Sequence, residues 1–149
     1  MKKRAYYLGR TIGKLRGQLF RLQRHRYDKT VVKLTVEEAI LLNMVNERTN
    51  QISQNLAQVT GKNKSVVMRM LDSLEGKGLL VRSQNPDDRR ENLLALTEQG
   101  KKVMRQYSKI ECSLSDDLLA GASEEDIEAF FRVADVILDN GEKLLRGKE

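Results

Sequence analysis

Two polar side chains recur at helical spacing near the centre of the sequence, Ser65 and Arg69. At 100° per residue they share one face of a helix with Asp72, and the opposite face is apolar. That apolar face, which must meet the core, consists of Val67, Met70, Leu71 and Leu74. An arginine can donate to O6 and N7 of guanine together, and a serine hydroxyl can donate or accept. The pattern therefore favours a helix that reads base edges in a DNA major groove.

The flanks of the same predicted helix suit this interpretation. Val66 and Met68 lie beside the polar face and could touch a thymine methyl group, while Lys64 and the free amides at the helix start favour a phosphate. Asp72 is an anion on the polar face, so it fits only if that end of the helix is already leaving the groove.

A second cationic group follows at a predicted turn, Asn85-Pro86-Asp87-Asp88, which carries Arg89 and Arg90. An arginine at the tip of a twisted hairpin can enter a narrow minor groove, where the negative potential is strongest. Asp88 would then pin the guanidinium of an arginine before it meets DNA. The alternative is a solvated hairpin tip with internal ion pairs.

The elements that position these groups follow from apolar periodicity and end signals. Helices are predicted over about 5–27, 36–46, 53–60, 64–77 and 97–119, and strands over 79–84 and 92–96. A last helix is predicted after residue 123, with its apolar residues between 127 and 138. Thr35 with Glu38 forms a capping box, Asn63 is a cap, and Gly78 ends a helix in a left-handed conformation. Ser123 with Asp126 caps the last helix.

The segment from Ala57 to Met70 has the spacing of two steeply crossing helices, with a small residue at the crossing and Gly61 in the turn. Any helical hairpin would share this spacing. Together with the strands that follow, it predicts a mainly α fold with a small β-hairpin wing, in a single unit over residues 1–149.

The amino-acid composition excludes several other classes of protein. One Cys and one His exclude a Cys/His zinc site and an intrachain disulfide, and no apolar stretch is long enough to span a membrane. The basic start lacks a following apolar segment, so we expect neither a secretory signal nor a membrane anchor, and a cytoplasmic protein. With no phosphate-binding glycine loop or catalytic Ser/His/Asp set either, we expect no enzyme, cofactor or metal.

Charge is distributed unevenly along the chain, whose formal net charge is +6. Residues 1–33 contain eleven cations and one anion, whereas residues 97–149 contain eight cations and twelve anions. A basic front and an acidic back suggest a polyanion on one side, although a run of charge is usually a solvated helix face.

Three motifs together resemble the MarR (multiple antibiotic resistance regulator) family of winged helix-turn-helix transcription factors. They are LT at residues 34–35, NLAQVTGKNKSVVMRMLDSLEGKGLL at 55–80 and NPDDRRENLLALTEQGKKV at 85–103. In the last motif Asp88, Arg90, Leu96, Thr97 and Gly100 stand at the family's spacing. Lys62 departs from the usual apolar residue, and Val66 and Met68 replace the more usual threonines, so base preference cannot be read.

The resemblance implies an obligate homodimer on a pseudo-palindromic operator in double-stranded DNA. Its DNA-binding part would be residues 34–97, and residues 1–33 and 98–149 would form a helical dimerisation layer. Ser65, Val66 and Arg69 would face the major groove, Arg90 the minor groove, and Asp88 would orient an arginine. The apolar stripes of the first and last helices also favour a dimer, because the winged part alone gives them little to cover.

The resemblance further implies a small anionic or phenolic effector between the dimerisation layer and the winged part. Arg24, His25, Tyr27 and Met44 are the candidate lining residues, although a histidine in a basic run is more often solvated. Cys112 could act as an oxidation sensor, but a structural role is favoured because Glu111 beside it stabilises the thiol over the reactive thiolate.

We therefore predict a homodimeric transcriptional regulator, a repressor on base rates since no residue decides the sign, released by a small-molecule effector. The alternative from another class is a winged-helix module that binds proteins and never touches DNA.

Overall fold

The computed structural model describes residues 2–47, 51–52, 56 and 62–147, and side-chain surroundings for residues 7–47, 56 and 62–147. In chain order its elements are α1 (Lys2–Tyr27), α2 (Val36–Glu47), β1 (Gln51–Ile52), α3 (Lys64–Gly76), β2 (Leu80–Gln84), β3 (Asn92–Leu96), α4 (Glu98–Leu119) and α5 (Glu124–Arg146). The predicted mainly α fold with a hairpin wing is confirmed. The predicted helix over 53–60 and its turn lie outside the described residues, apart from Leu56, which is buried.

The helices begin where local side chains accept the first free amides. The capping box is present, because the Thr35 amide donates to Glu38 at 2.9 Å and the Glu38 amide donates to the Thr35 hydroxyl at 3.1 Å. The Asn63 side chain accepts the amide of Ser65 at 2.9 Å, and the Ser123 hydroxyl accepts the amide three residues on at 3.2 Å. All three predicted caps are confirmed.

Helix α3 ends in a motif that requires glycine. Gly78 has a φ of 71°, as predicted, and its amide donates to the carbonyl of Glu75 at 2.9 Å. The amide of Leu79 reaches back to the carbonyl of Leu74 at 3.0 Å. This pair of bonds satisfies the last carbonyls of the helix and turns the chain directly into β2.

The start of α4 is held against this turn by two hydrogen bonds from Thr97. The Thr97 hydroxyl donates to the carbonyl of Gly78 at 2.6 Å, and the Thr97 amide donates to the carbonyl of Leu79 at 3.1 Å. A Cβ atom on Gly100 would lie 2.0 Å from the Leu79 carbonyl oxygen. A side chain at position 100 would therefore force α4 away from the turn.

The sheet is antiparallel, with strand order β1-β3-β2. The hairpin register pairs Leu80 with Leu96 and Gln84 with Asn92, and β1 adds to the other edge of β3 by pairing Gln51 with Leu94. Strand β1 was not predicted, because two residues carry too little periodicity to signal a strand.

The core joins α2, α3, the hairpin and the first turns of α4. Its fully buried members include Leu41, Leu42, Val67, Leu71, Leu74, Leu80, Leu94 and Tyr107. Tyr107 also satisfies backbone groups, because its hydroxyl accepts the amide of Leu34 at 3.0 Å and donates to the carbonyl of Val32 at 2.8 Å. Its contacts fix the segment between α1 and α2 against α4.

The described chain divides into two compact units, Met1–Cys112 and Ser113–Glu149. In the second unit, no residue of α5 is buried. In the first, the apolar stripe of α1 is also open to solvent, with Ile12 at 45% and Leu15 at 53% exposure. No helix among the described residues is long and apolar enough to cross a membrane.

Candidate nucleic-acid interface and ligand cavity

The polar face of α3 lies in solvent, as its sequence pattern predicts. Lys64, Ser65 and Arg69 are exposed. On the opposite face Val67, Leu71 and Leu74 are each at most 1% exposed, and Met70 is partly buried against the core. The buried face fixes the rotation of the helix, so the Arg69 guanidinium and the Ser65 hydroxyl lie on the solvent side. The hydroxyl also donates to the Asn63 side-chain oxygen at 3.0 Å.

The two apolar residues beside the polar face of α3, which the sequence predicts to contact a thymine methyl group, are only partly exposed. Val66 and Met68 are both half-buried, and Met68 packs against the core cluster. Only part of each side chain is therefore open to a thymine methyl group.

Asp72, the anion that seemed out of place on this face, pairs with an arginine from the hairpin. Arg82 of β2 forms an ion pair with Asp72 and a second one with Glu75, whose Oε2 lies 3.3 Å from the arginine Nε. The pairing offsets the negative charge and ties the base of the hairpin to the polar side of α3. Sequence reasoning did not identify Arg82, because its partners are ten and seven residues away.

The hairpin tip is fixed by Asn85, a buried residue that sequence reasoning also missed. Its side-chain oxygen accepts the amide of Asp87 at 3.0 Å, and its amide group donates to Glu91 at 3.2 Å. The backbone amide of Asn85 donates to the carbonyl of Glu91 at 3.0 Å. An Asn before a Pro is a known signal for such a turn and could have revealed this role.

Asp88 holds Arg90 at the tip through three hydrogen bonds. Its Oδ1 accepts the Arg90 amide at 2.9 Å and the Arg90 Nε at 3.1 Å, and its Oδ2 accepts a terminal guanidinium nitrogen at 3.2 Å. These bonds also lower the pKa of the Asp88 carboxyl. The Arg90 side chain is nevertheless 88% exposed. Arg89 is exposed as well, and its side chain has no polar partner among the described residues.

A separate cavity of about 560 Å³ lies beside the start of α2. Its lining residues are Arg24, Tyr27, Asp28, Lys33, Leu34, Thr35, Val36, Glu37, Glu38 and Lys77. Two of the four candidate effector residues, Arg24 and Tyr27, are among them. The other two are not, since His25 is exposed elsewhere on α1 and Met44 packs against the core.

Glu38 is the buried carboxylate of this cavity wall. It is 5% exposed and accepts hydrogen bonds from Ser73 at 2.5 Å and from Lys77 at 2.9 and 2.8 Å, besides the capping bond from Thr35. Burial raises the pKa of Glu38, but the bonds from Lys77, Ser73 and Thr35 outweigh it, so the net pKa is lowered. Glu38 therefore stays charged and ties α2 to the end of α3.

Tyr27 points its hydroxyl away from solvent toward α4. The hydroxyl donates to Glu111 at 2.5 Å, and Gln23 donates to the other carboxylate oxygen at 3.0 Å. Burial and this bond raise the pKa of Tyr27 far above its usual value, so the phenol stays protonated. Its ring meets Tyr107 edge to face at 4.5 Å. Cys112 is exposed beside this group.

Comparison with known proteins agrees with this geometry. A sequence model of the MarR family matches residues 34–92, from just before α2 to the first residue of β3. These residues form a MarR family domain. The recognition made from the sequence motifs is thus confirmed.

Solved structures of MarR family regulators share the fold over nearly the whole chain. Streptococcus pneumoniae FabT in complex with DNA matches with a TM-score of 0.80 at 17% identity, over 94% of this chain and 99% of FabT. An E. coli MarR variant complexed with operator DNA matches with a TM-score of 0.78 at 23% identity, over 88% of this chain and 93% of that one.

PcaV from Streptomyces coelicolor, in complex with its natural ligand, matches with a TM-score of 0.74 at 21% identity. The match covers 91% of this chain and 94% of PcaV. Because the three sequence identities lie between 17% and 23%, these similarities show that the chain shares the fold of these proteins.

Proposed function

We propose that this chain, whose residues 34–92 match the MarR family, is a homodimeric, sequence-specific DNA-binding regulator of transcription, acting in the cytoplasm. One observation carries the proposal: α3 buries its apolar face and leaves Ser65 and Arg69 exposed on the other. A helix of this kind, followed by an arginine-bearing hairpin, is suited to the major groove.

In the proposed complex, α3 lies in the major groove with Arg69 on a guanine, and Lys64 meets a phosphate near the helix start. The exposed parts of the Val66 and Met68 side chains contribute apolar surface to the contact. Arg90, oriented by Asp88, enters the neighbouring minor groove, with Arg89 beside it on the backbone. The DNA complexes named for FabT and MarR support this assignment.

The proposed homodimer rests on apolar surface that the single chain leaves in water. Phe131, Leu138 and Leu145 of α5 are 53%, 66% and 68% exposed, and the stripe of α1 is exposed as well. Surfaces of this kind on a soluble chain mark protein contacts. Two copies that bury them in a symmetric layer would present two α3 helices to one pseudo-palindrome.

The regulator is proposed to be a repressor that a small anionic or phenolic effector releases from DNA. The cavity lined by Arg24 and Tyr27 supports an effector site, as does the ligand complex named for PcaV.

The test is selection of bound duplexes from a random library by the full chain, followed by gel shifts at two salt concentrations. We expect an enriched pseudo-palindrome with half-sites about one helical turn apart, and binding that weakens steeply with salt. A double variant, Arg69→Ala with Arg90→Ala, serves as the control that should enrich no sequence. A chain that enriches no sequence would instead be a protein-interaction module.

A further inference from the structure

Helix α1 is cationic along its length and carries no anion. Between Lys2 and Tyr27 it contains nine Lys and Arg residues and no Asp or Glu. Helices α4 and α5 instead pair the two signs along the helix, because Lys101 bonds to Glu98 at 2.7 Å and Arg132 lies 3.4 Å from Glu128. Mixed charge of this kind is typical of a solvated helix face. The single sign of α1 therefore indicates a surface for an anionic partner.

Three of these cations form one line along α1, which we call the cationic stripe: Arg10, Lys14 and Arg21. At 100° per residue they lie within about 40° of each other, and all three are exposed. Arg10 and Lys14 have no polar partner among the described residues, and Arg21 donates to the neutral side chain of Gln18. Like charges one turn apart destabilise a helix, so a partner that neutralised them would stabilise α1.

The cationic stripe lies on the far side of α1 from its apolar stripe. The apolar residues are centred about 150° away around the helix, and they are Leu8, Ile12, Leu15 and Leu19. A second copy that covers the apolar stripe, as in the proposed dimer, therefore leaves the cationic stripe in solvent. A bilayer needs an apolar face to bury as well as cations, and α1 then has no such face to offer.

The backbone of α1 is open beside the cationic stripe. Gly13 and Gly17 border the stripe, and no atom lies within 4 Å of a Cβ atom added at either position. Both glycines lie in a shallow hollow of about 670 Å³, whose lining includes Lys14 and Arg21. Glycine is unfavourable inside a helix, and no described residue packs against these two. The hollow lets a partner approach the helix backbone between the cations.

The spacing of the cations fits an extended polyanion. Arg10 and Arg21 are separated by about 16 Å along the helix, at 1.5 Å per residue. A single small anion cannot contact both, whereas a DNA duplex of that length carries about ten phosphates. Arginine and lysine bind these phosphates without reading the base sequence.

We propose that the cationic stripe of α1 is a second DNA surface, which binds the phosphates of double-stranded DNA without sequence preference. It goes beyond the base-reading surface proposed for α3, and the two surfaces have no residue in common. Binding through α1 holds the chain on duplexes that contain no operator.

The test measures binding of the full-length protein to a mixed-sequence duplex without the selected pseudo-palindrome, over a range of salt concentrations. Arg69→Ala with Arg90→Ala is the background, which removes the groove contacts proposed for α3 and the wing. There, Arg10→Gln, Lys14→Gln and Arg21→Gln together should make the log-log salt slope shallower by about two to three per chain, since each lost phosphate contact removes about 0.9. An unchanged slope would overturn the proposal.

The matched control lies on α4, where Lys102, Arg105 and Lys109 form another exposed line of three cations. Glu98 interacts with Arg105 and partly offsets that charge. Replacing the three cations of α4 with Gln removes the same net charge, yet should change the slope by less than about one. A change as large as that of the α1 variant would reduce the effect to net charge and overturn the proposal.

A conservative variant separates charge from shape. Arg10→Lys with Arg21→Lys keeps the cations and should keep the slope of the background, and a slope as shallow as that of the triple variant would overturn a phosphate contact. Glutamine is a good helix former, so the triple variant should unfold at the same urea concentration as its background. Should it fail to fold, Lys14→Gln alone decides, with an expected change of about 0.9 per chain.

A membrane partner would give a different result. Sedimentation with phosphatidylglycerol vesicles should be the same for the background and the triple variant. If the triple variant lost vesicle binding while its salt slope on DNA was unchanged, the cationic stripe would be a lipid surface and the proposal would be overturned.

Failure of this inference and failure of the proposed function look different. If the wild type selects a pseudo-palindrome and the α1 variant leaves mixed-sequence binding unaltered, the inference fails alone. If the wild type selects no sequence, the proposed function fails. The salt slopes of the α1 and α4 variants then still decide whether α1 binds a duplex.

Discussion

Helices α3 and α5 are both amphipathic, yet they use their apolar faces differently. In α3 the apolar face is buried within the chain, with Val67 and Leu71 at most 1% exposed, and the polar face lies in solvent. In α5 the apolar face is in solvent, with Phe131 at 53% and Leu138 at 66% exposure, and no residue is buried.

The difference shows which surface of each helix remains exposed for a partner. A helix whose apolar face is already covered can take a polar partner without rearranging, and DNA is the partner proposed for α3. A helix with an uncovered apolar face gains free energy by covering it, at about 25 cal/mol per Å² of apolar surface. The proposed dimer is therefore expected to depend on α5, and DNA recognition on α3.

The largest effect is expected from Phe131→Asp on α5. If two copies bury this ring, the loss is about 3 to 6 kcal/mol per dimer, which weakens dimerisation by at least about 100-fold. Analytical ultracentrifugation across a concentration series measures it. The exposed Asp139 provides the control, since Asp139→Ala should leave the dimer intact. An unchanged dissociation constant for Phe131→Asp would contradict the assignment of α5.

The next effect concerns the contacts that hold the winged part together within one chain. Gly100→Ala places a Cβ atom against the Leu79 carbonyl, so we expect a loss of about 1 to 3 kcal/mol in the free energy of unfolding. Urea unfolding measures it. Gly76→Ala, where no atom lies within 4 Å of the added Cβ, should cost nothing. Equal stability of the two variants would refute the close approach of α4 to the turn.

A smaller effect, confined to DNA, is expected on the polar face of α3. Arg69→Ala should lose about 1 to 3 kcal/mol of discrimination at one base pair per half-site, because a bidentate contact to guanine is removed. Lys64→Ala should weaken all sequences alike. Binding constants for a set of single-base operator variants separate the two, and unaltered base preference in both variants would show that the assigned face is wrong.

The smallest effect is expected at the wing, where Arg90→Ala should weaken binding most on A·T-rich flanks, since narrow grooves there concentrate negative potential. A simple phosphate contact predicts a uniform loss instead, with a log-log salt slope shallower by about one per chain. Binding to A·T-flanked and G·C-flanked operators at two salt concentrations distinguishes them.

Asp88→Ala tests the orienting role of the same hairpin tip. Loss of the three bonds to Arg90 should weaken DNA binding even though a negative charge is removed. Simple repulsion between Asp88 and DNA predicts tighter binding, so tighter binding by this variant would refute the account of the wing.

Most of the elements could be predicted from the sequence, because their signals act over a few residues. The capping box of Thr35 and Glu38, the Asn63 cap and the left-handed Gly78 each depend on neighbours within about four positions. The exposed face of α3 followed from the same short-range periodicity, and three motifs were enough to recognise the family.

The tertiary structure decided which charged and polar groups meet. Nothing in the spacing of Asp72 and Arg82, or of Glu38 and Lys77, marks them as partners among 27 cations and 21 anions. Their pairing depends on how α2, α3 and the hairpin cross, and those crossings are set by the burial of Leu42, Leu71 and Leu94. The sequence by itself therefore determined the hairpin, the helices of the described residues and the exposed face of α3 that is proposed to meet DNA. Only the packed chain decided that Arg82 neutralises Asp72 and that Lys77 joins the cavity to α3, because ion pairs across elements form only after the core has fixed the elements.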